Sequence, residues 1–530
     1  DQMNSYQKDE ASRKNLMQLG TDPNFAKLSK DGQDAALKKL ASNPQDAANL
    51  QNVKDNVKDR STVENDANFK KLDNASQKKV LDGLDKNSGD AAARANLVKL
   101  GTDPNLAKLS PAHQQKTLEA LEKKPADATH LLNLQKTIGS EGFQKMDDGL
   151  KSRVLDQATK YAGNTKYTTD LANLVSHGKF GAMSAQDKEK TLNVFENTAS
   201  AAGRESLMKL LDKDIKGTPA LLNKASDGTT TLDALNRVAT GKIDSRIGDA
   251  SGTPANRAQV TDDLLKELAN PGRNINQNNR GTCTVTSMTY KLADQNPAEY
   301  ARLSADLSIN GVAKLQNGDK IEPPADGFLH DNSGRSVGER MLQSSLMNYA
   351  NPGQYTNWHP GNDGVRGTPD DGYPSANKKN PNQRSIDGVP PNGGSGMSPD
   401  KQVKVMNALT GKSHEYYEGS WNFKDDAKDM QNKTEEQLKA GKKPVYTIVQ
   451  WGDGTHAVEV TKIENGRVYW RNPWGGNIPG VDNGVGATDD PTKPIPARTP
   501  PRKIEDGPNG IESMSIEDYQ KNVRGVVLEK

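Results

Sequence analysis

Apolar positions recur along the first 200 residues in a pattern that repeats. The stretch Leu19-Gly20-Thr21-Asp22-Pro23-Asn24-Phe25-Ala26-Lys27-Leu28 returns as Leu100-Gly101-Thr102-Asp103-Pro104-Asn105-Leu106-Ala107-Lys108-Leu109. Its last four residues have weaker copies at Phe69-Lys70-Lys71-Leu72, Phe143-Gln144-Lys145-Met146 and Phe180-Gly181-Ala182-Met183. The five tetrads begin at 25, 69, 106, 143 and 180, so the steps are 44 and then 37 three times. Nine residues after each tetrad ends stands Leu37, Leu81, Leu118, Leu155 or Leu192, and three further on Leu40, Leu84, Leu121, Ala158 or Phe195. That spacing marks one face of a helix. Each unit predicts a short helix, a turn and a longer amphipathic helix, with Ser29, Asp73 and Ser110 as N-caps and Pro111 in a first turn. One unit cannot bury its stripe alone, so the units are expected to stack as a solenoid or irregular bundle over residues 1–200, a scaffold or a docking surface for a protein partner.

Past Ser200 the register is lost. Leucines over 204–240 still predict helix, and 241–257, with Gly248, Gly252 and Pro254, reads as a linker, so 201–257 is expected to be a helical cap and linker. Further helices are predicted over 261–268, over 288–307 with a break near Pro297, over 336–343, over 400–409 and over 434–438. Segment 351–400 is too rich in Gly and Pro for regular structure and predicts a surface insertion. The pattern then turns to period two, predicting strands over 445–450, 454–463 and 467–472, the last two joined across Glu464-Asn465-Gly466. A two-residue loop there would set Asn472 opposite Glu459, on the face away from His456. A three-residue loop sets Asn472 opposite Val458, so that His456 and Asn472 become diagonal neighbours on one face, and that loop is required unless a bulge intervenes. The three-residue loop is the expectation.

Composition narrows the class. The chain has 530 residues, 32% hydrophobic and 5% aromatic, which suggests several very polar domains with lean cores. Its 71 basic and 69 acidic residues are interspersed, with no block that would hold nucleic acid. No apolar run is long enough to span a membrane. One cysteine, Cys283, excludes an internal disulfide. The polarity and the repeat array, with a chain that starts at Asp1 instead of Met, fit an exported bacterial protein or effector that has lost an upstream segment. No metal or nucleotide motif stands out and no cofactor is expected. Asn362-Asp363-Gly364, Asp370-Asp371 and Asp482-Asn483 lack calcium-loop spacing. His113, His130 and His177 are isolated, and His330, His359 and His414 fall in predicted loops.

Cys283 stands on the turn Asn278-Asn279-Arg280-Gly281-Thr282, just before helical sequence, where the positive end of a helix dipole favours thiolate. A thiolate needs an imidazole as ion-pair partner and proton shuttle, and the imidazole needs an acceptor on its other nitrogen. His456 and Asn472 supply these if the hairpin register is right. The Cys283 N–H with the Gln277 amide would hold an oxyanion, and Trp474 can cover the His456–Asn472 bond.

Gln277 and Cys283, then Gly454-Thr455-His456-Ala457-Val458, then Asn472-Pro473-Trp474-Gly475 resemble the papain-like cysteine peptidases, most of all their calpain branch. Met514-Ser515-Ile516-Glu517-Asp518-Tyr519 resembles the end of the calpain core. The resemblance covers roughly 260–530. It implies a cysteine endopeptidase acting on protein or peptide substrates, with Cys283 as nucleophile, His456 as base, Asn472 as its orienter and Gln277 at the oxyanion. Thr284 stands where that family usually has an aromatic residue, and the insertion at 351–400 has no counterpart in it. The expected chain is therefore multidomain: an all-α helical-repeat N-terminal region, then an α+β papain-like (calpain-like) two-lobed cysteine peptidase domain over 258–530. Transglutaminase, acyltransferase or deamidase chemistry on the same triad is the alternative expectation, and a non-catalytic repeat binding protein a third.

Overall fold

The computed structural model describes residues 9–248, 253–277, 281–328, 334–352, 397–418, 423–451, 454–473, 505–506 and 511–530. Helix dominates, with small antiparallel sheets, in two compact units, Asp1–Leu192 and Asn193–Lys530.

In the first unit each repeated tetrad contributes to a short turn of helix: Phe25–Lys27, Phe69–Lys71, Leu106–Lys108, Glu141–Gln144 and Gly178–Gly181, the last two starting two residues before their tetrads. Each leads into a longer helix, Lys30–Ala41, Asn74–Lys86, Pro111–Glu122, Asp148–Lys160 and Ala185–Glu196. Ser29 and Asp73 cap as expected, accepting from Gly32 N and from Ala75 and Ser76 N. Ser110 does not, because its hydroxyl turns to His113 Nδ1 at 2.8 Å. His113 and His130 are buried packing residues, the latter bonded to the Ala120 carbonyl at 2.8 Å. Leu40, Leu84, Leu118, Leu121, Leu155, Ala158, Leu192 and Phe195 are buried, each large one worth about 1.5–3 kcal/mol of burial.

Every unit also contains a third helix: Glu10–Gly20, Ala47–Asn65, Ala91–Gly101, Ala128–Gly139 and Thr165–Val175. Their N-caps are Asp9, Asp46, Asp90, Asp127 and Asn164, each accepting from a first-turn backbone N–H. These caps carry the same period as the tetrads. The longer first step falls inside Ala47–Asn65, which has 19 residues where its equivalents have 11 or 12. Seven extra residues are close to two helical turns, so the insertion lengthens the helix without rotating its buried face.

The second unit carries the site. Residues 201–248, read as cap and linker, lie within it, with helices Ala201–Asp212 and Thr231–Thr240. Asp262 accepts from Ser200 Oγ at 2.7 Å, and Arg237 pairs with Asp306 at 2.7 Å, tying this segment to the helices beyond it. Helices Arg257–Ala269, Cys283–Gln295, Pro297–Asn310, Val337–Ala350 and Pro399–Thr410 follow, the break before Pro297 falling where the sequence placed it. Helix Phe423–Lys439 is much longer than the predicted 434–438.

Seven strands form one antiparallel sheet: β1 His414–Tyr417, β2 Val445–Trp451, β3 Gly454–Glu464, β4 Arg467–Arg471, β5 Glu505–Asp506, β6 Ile511–Ser515 and β7 Val523–Glu529. Their spatial order is β1-β7-β2-β3-β4-β6-β5. Alternation along β2–β4 gives two faces. Val445, Val449, Val458, Val460 and Trp470 pack with Ala427, Met430 and Tyr519 in one core. The Cys283–Gln295 helix lies on the face that carries Glu459 and Arg471, with the Arg471 guanidinium 5.0 Å from the Tyr290 ring centre. His414 is not in a loop. It opens β1, is buried, and pairs with Glu529 because β7 covers that edge. Burial, then the charge of Lys291, pushes its imidazole down to about 4.

Candidate functional site

Cys283 opens its helix directly after Thr282, at the positive end of the helix dipole. It is partly exposed, whereas Gln277, His456 and Asn472 are buried. Burial, then the charge of Cys283, holds the Tyr446 phenol above its ordinary range. One turn into the helix, Ser287 Oγ donates to the carbonyl of Ala457 at 3.4 Å, the residue after His456. Thr284, in place of an aromatic residue, packs inward with its hydroxyl 3.9 Å from Met347 Sδ.

The hairpin that presents His456 corrects one expectation and keeps its consequence. The loop has two residues, Asn465 and Gly466, both at positive φ (50° and 74°), with Glu464 paired to Arg467. Asn and Gly tolerate that conformation best, which is why this turn closes tightly. Uninterrupted, the register would set Asn472 against Glu459. A bulge between Val460 and Lys462 shifts it by one, so that Glu459 pairs with Arg471 and Asn472 comes opposite Val458. His456 Nε2 then meets Asn472 Oδ1 at 2.9 Å.

Gln277 is held beside this pair, its N–H donating to the carbonyl of Pro473 at 2.8 Å, directly after Asn472. Gln343 and Arg471, which carry no catalytic signature in the sequence, hold the residues just before Gln277 and just before Cys283. Gln343, fully buried, donates from Nε2 to the Asn276 carbonyl at 3.0 Å and accepts from Thr282 Oγ1 at 2.9 Å. One amide thus fastens the chain just before Gln277 and just before Cys283. Arg471 Nη2 donates to Asn276 Oδ1 at 2.7 Å, joining the same loop to β4. A third, Glu512 on β6, accepts from Asn472 Nδ2 at 2.8 Å and from Trp470 Nε1 at 3.0 Å. Each partner lies far away in sequence, so only the strand order and the helix packing reveal these contacts.

Trp474, expected over the His456–Asn472 bond, lies outside the described residues, as do His330, His359, Asn278, Asn279, Arg280, Asp482, Asn483 and all of 353–396. Among the described residues no group of three or more His, Cys, Asp or Glu is placed to hold a metal ion, and no helix is long and apolar enough to cross a membrane.

Three buried acids, Glu267, Glu339 and Glu459, lie on elements of the second unit. Burial pushes Glu339 up to about 7 against the pull of the Asn276 and Ser336 N–H groups, and burial with the neighbouring Glu339 holds Glu267 well above the ordinary range. Glu459, between β2 and β4 under the helix, is pushed up to about 8 by burial, against Lys291 and Arg471. A raised carboxyl favours the folded state fully below its ordinary value of 4.5. That contribution is lost as pH rises through about 8. Glu459→Gln keeps the shape and removes the proton. Between pH 5 and pH 8 the wild-type melting temperature is expected to fall relative to that of Glu459→Gln, measured by calorimetry in matched buffers. Parallel curves would place the Glu459 proton elsewhere.

With this geometry in view, comparison with known proteins brings no relative: no family model, no curated protein and no solved structure matches the chain.

Proposed function

We propose that residues 258–530 form a papain-like, calpain-like cysteine peptidase domain, with the helices as one lobe and the sheet as the other. It hydrolyses peptide bonds through an acyl-enzyme on Cys283. The observation that carries this reading is the 2.9 Å contact between His456 Nε2 and Asn472 Oδ1, produced by a bulge that a bare hairpin lacks. It is supported by Cys283 at a helix N-terminus, on the helix whose Ser287 bonds the Ala457 carbonyl, and by Gln277 bonded to the residue after Asn472.

In this reading His456 Nδ1 takes the Cys283 proton and the thiolate attacks the scissile carbonyl carbon. The oxyanion is held by the Cys283 N–H and the Gln277 amide. His456 returns the proton to the departing amine, leaving the thioester. Water then attacks that carbon with His456 as base, freeing the carboxylic acid and the thiol. Asn472 accepts from Nε2–H throughout and stabilises the imidazolium.

Fluorescent casein incubated with the full chain tests this. Mass spectrometry is expected to find new amino termini, absent when Cys283 has been alkylated. Glutamine residues shifted by about 1 Da without new termini would move the same site to deamidation, and neither change would remove the peptidase reading.

A further inference from the structure

The geometry points to Glu512 as the residue that sets the tautomer of His456, acting through Asn472. An Asn amide offers an oxygen or an NH2 depending on which way it is turned, and the two orientations fill the same space. Turned one way, Asn472 accepts from His456 Nε2–H and leaves Nδ1 as a base. Turned the other way, it donates to Nε2, which forces the neutral ring to carry its proton on Nδ1, the nitrogen needed for the thiol. It would also set two donors face to face once the ring is an imidazolium. Nothing in the His456–Asn472 pair alone chooses between these.

Glu512 chooses. Its carboxylate has acceptor oxygens only. Oε2 takes the indole N–H of Trp470 at 3.0 Å, a donor that cannot be reversed. Oε1 faces Asn472 at 2.8 Å, so the Asn472 NH2 must point to it and the Asn472 oxygen to His456. Glu512 and Asn472 are both buried, so little water competes for either group. Pairing of Glu512 with Trp470 across β6 and β4 holds the carboxylate in register with the row. The chain of polarity therefore runs Trp470, Glu512, Asn472, His456, and every link is a donor meeting an acceptor. Glu512 is a positioning residue, and this role rests on the peptidase reading of Cys283 and His456.

The test inverts the row and then restores it. In Glu512→Gln the carboxamide oxygen still accepts from Trp470, but its NH2 now faces Asn472, which satisfies it only by turning over. In Asn472→Asp two carboxylates face each other. In the double variant the carboxamide NH2 introduced at position 512 donates to the carboxylate introduced at position 472. That carboxylate accepts from His456 Nε2–H, and the total charge is that of the wild type. The 15N signals of the His456 ring, assigned by comparison with His456→Ala, are expected to show Nε2–H in the wild type, Nδ1–H in Glu512→Gln and Nε2–H again in the double variant. Casein cleavage is expected to fall about 10²-fold or more in either single variant. In the double variant it should recover to within about tenfold of the wild type.

A Glu512→Gln protein with the wild-type tautomer and rate overturns the proposal. So does a double variant no more active than the poorer single one. If Glu512→Gln alone does not fold, Asn472→Asp against the double variant decides, the proposal requiring the double to be the more active. A wild type that leaves casein intact removes the peptidase reading, while the ring signals still decide whether Glu512 governs His456.

Discussion

Cys283→Ala is expected to lose all casein cleavage while its melting temperature stays within a few degrees of the wild type. The loss is total because no second thiol exists in the chain and the covalent route has no substitute atom. The fold tolerates it because the side chain is partly exposed at a helix start, where alanine keeps the backbone and fills most of the space. His456→Ala should fall on the order of 10²–10⁴-fold, the usual worth of a positioned acid–base group. Purified variants measured side by side for rate and for melting check both halves. Residual cleavage by Cys283→Ala near the wild-type rate would place the chemistry on another residue.

Arg471→Ala is expected to damage stability and activity together. The guanidinium is fully buried, bonds to Asn276 Oδ1 at 2.7 Å and to the Gly272 carbonyl at 3.4 Å, and stacks on Tyr290. Burial pushes it down to about 10, with Tyr290, Glu339 and Glu459 pulling the other way. Removing the side chain leaves Asn276 Oδ1 and the Gly272 carbonyl buried without their donor and opens a cavity, at a cost of about 2–5 kcal/mol. The loop before Gln277 also loses its tie to β4. Arg471→Lys should recover little, since an ammonium cannot repeat the planar fork that reaches Gly272 and Asn276 at once. Denaturant unfolding of the three proteins reads the first effect and casein cleavage the second. A wild-type midpoint for Arg471→Ala would mean the buried cluster is not held by this cation.

Some of this architecture is legible in the sequence and some is not, for identifiable reasons. The repeats show because Leu and Phe must return in register for stacked units to share a core. The third helix of each unit carries an in-register stripe of its own, Leu16, Val53, Leu97, Leu134 and Leu171, which a search confined to the residues after each tetrad passes over. These helices also share the recurring cap Asp9, Asp46, Asp90, Asp127 and Asn164. The hairpin is visible at Asn465-Gly466, but the bulge after Val460 is not, since Thr461 and Lys462 fit a strand either way. Gln277, Cys283, His456 and Asn472 stand out by their chemistry. Gln343, Arg471 and Glu512 are ordinary polar residues on a helix and two strands until tertiary packing sets them against that set.

The account centres on a Cys283 thiol activated by His456. The rate at which iodoacetamide labels Cys283 at pH 6, followed by peptide mapping, reads that activation directly and needs no substrate. Wild type is expected to label at least about 10²-fold faster than His456→Ala, because only a thiol held beside an imidazole is thiolate at that pH. Equal rates in the two proteins would contradict the account.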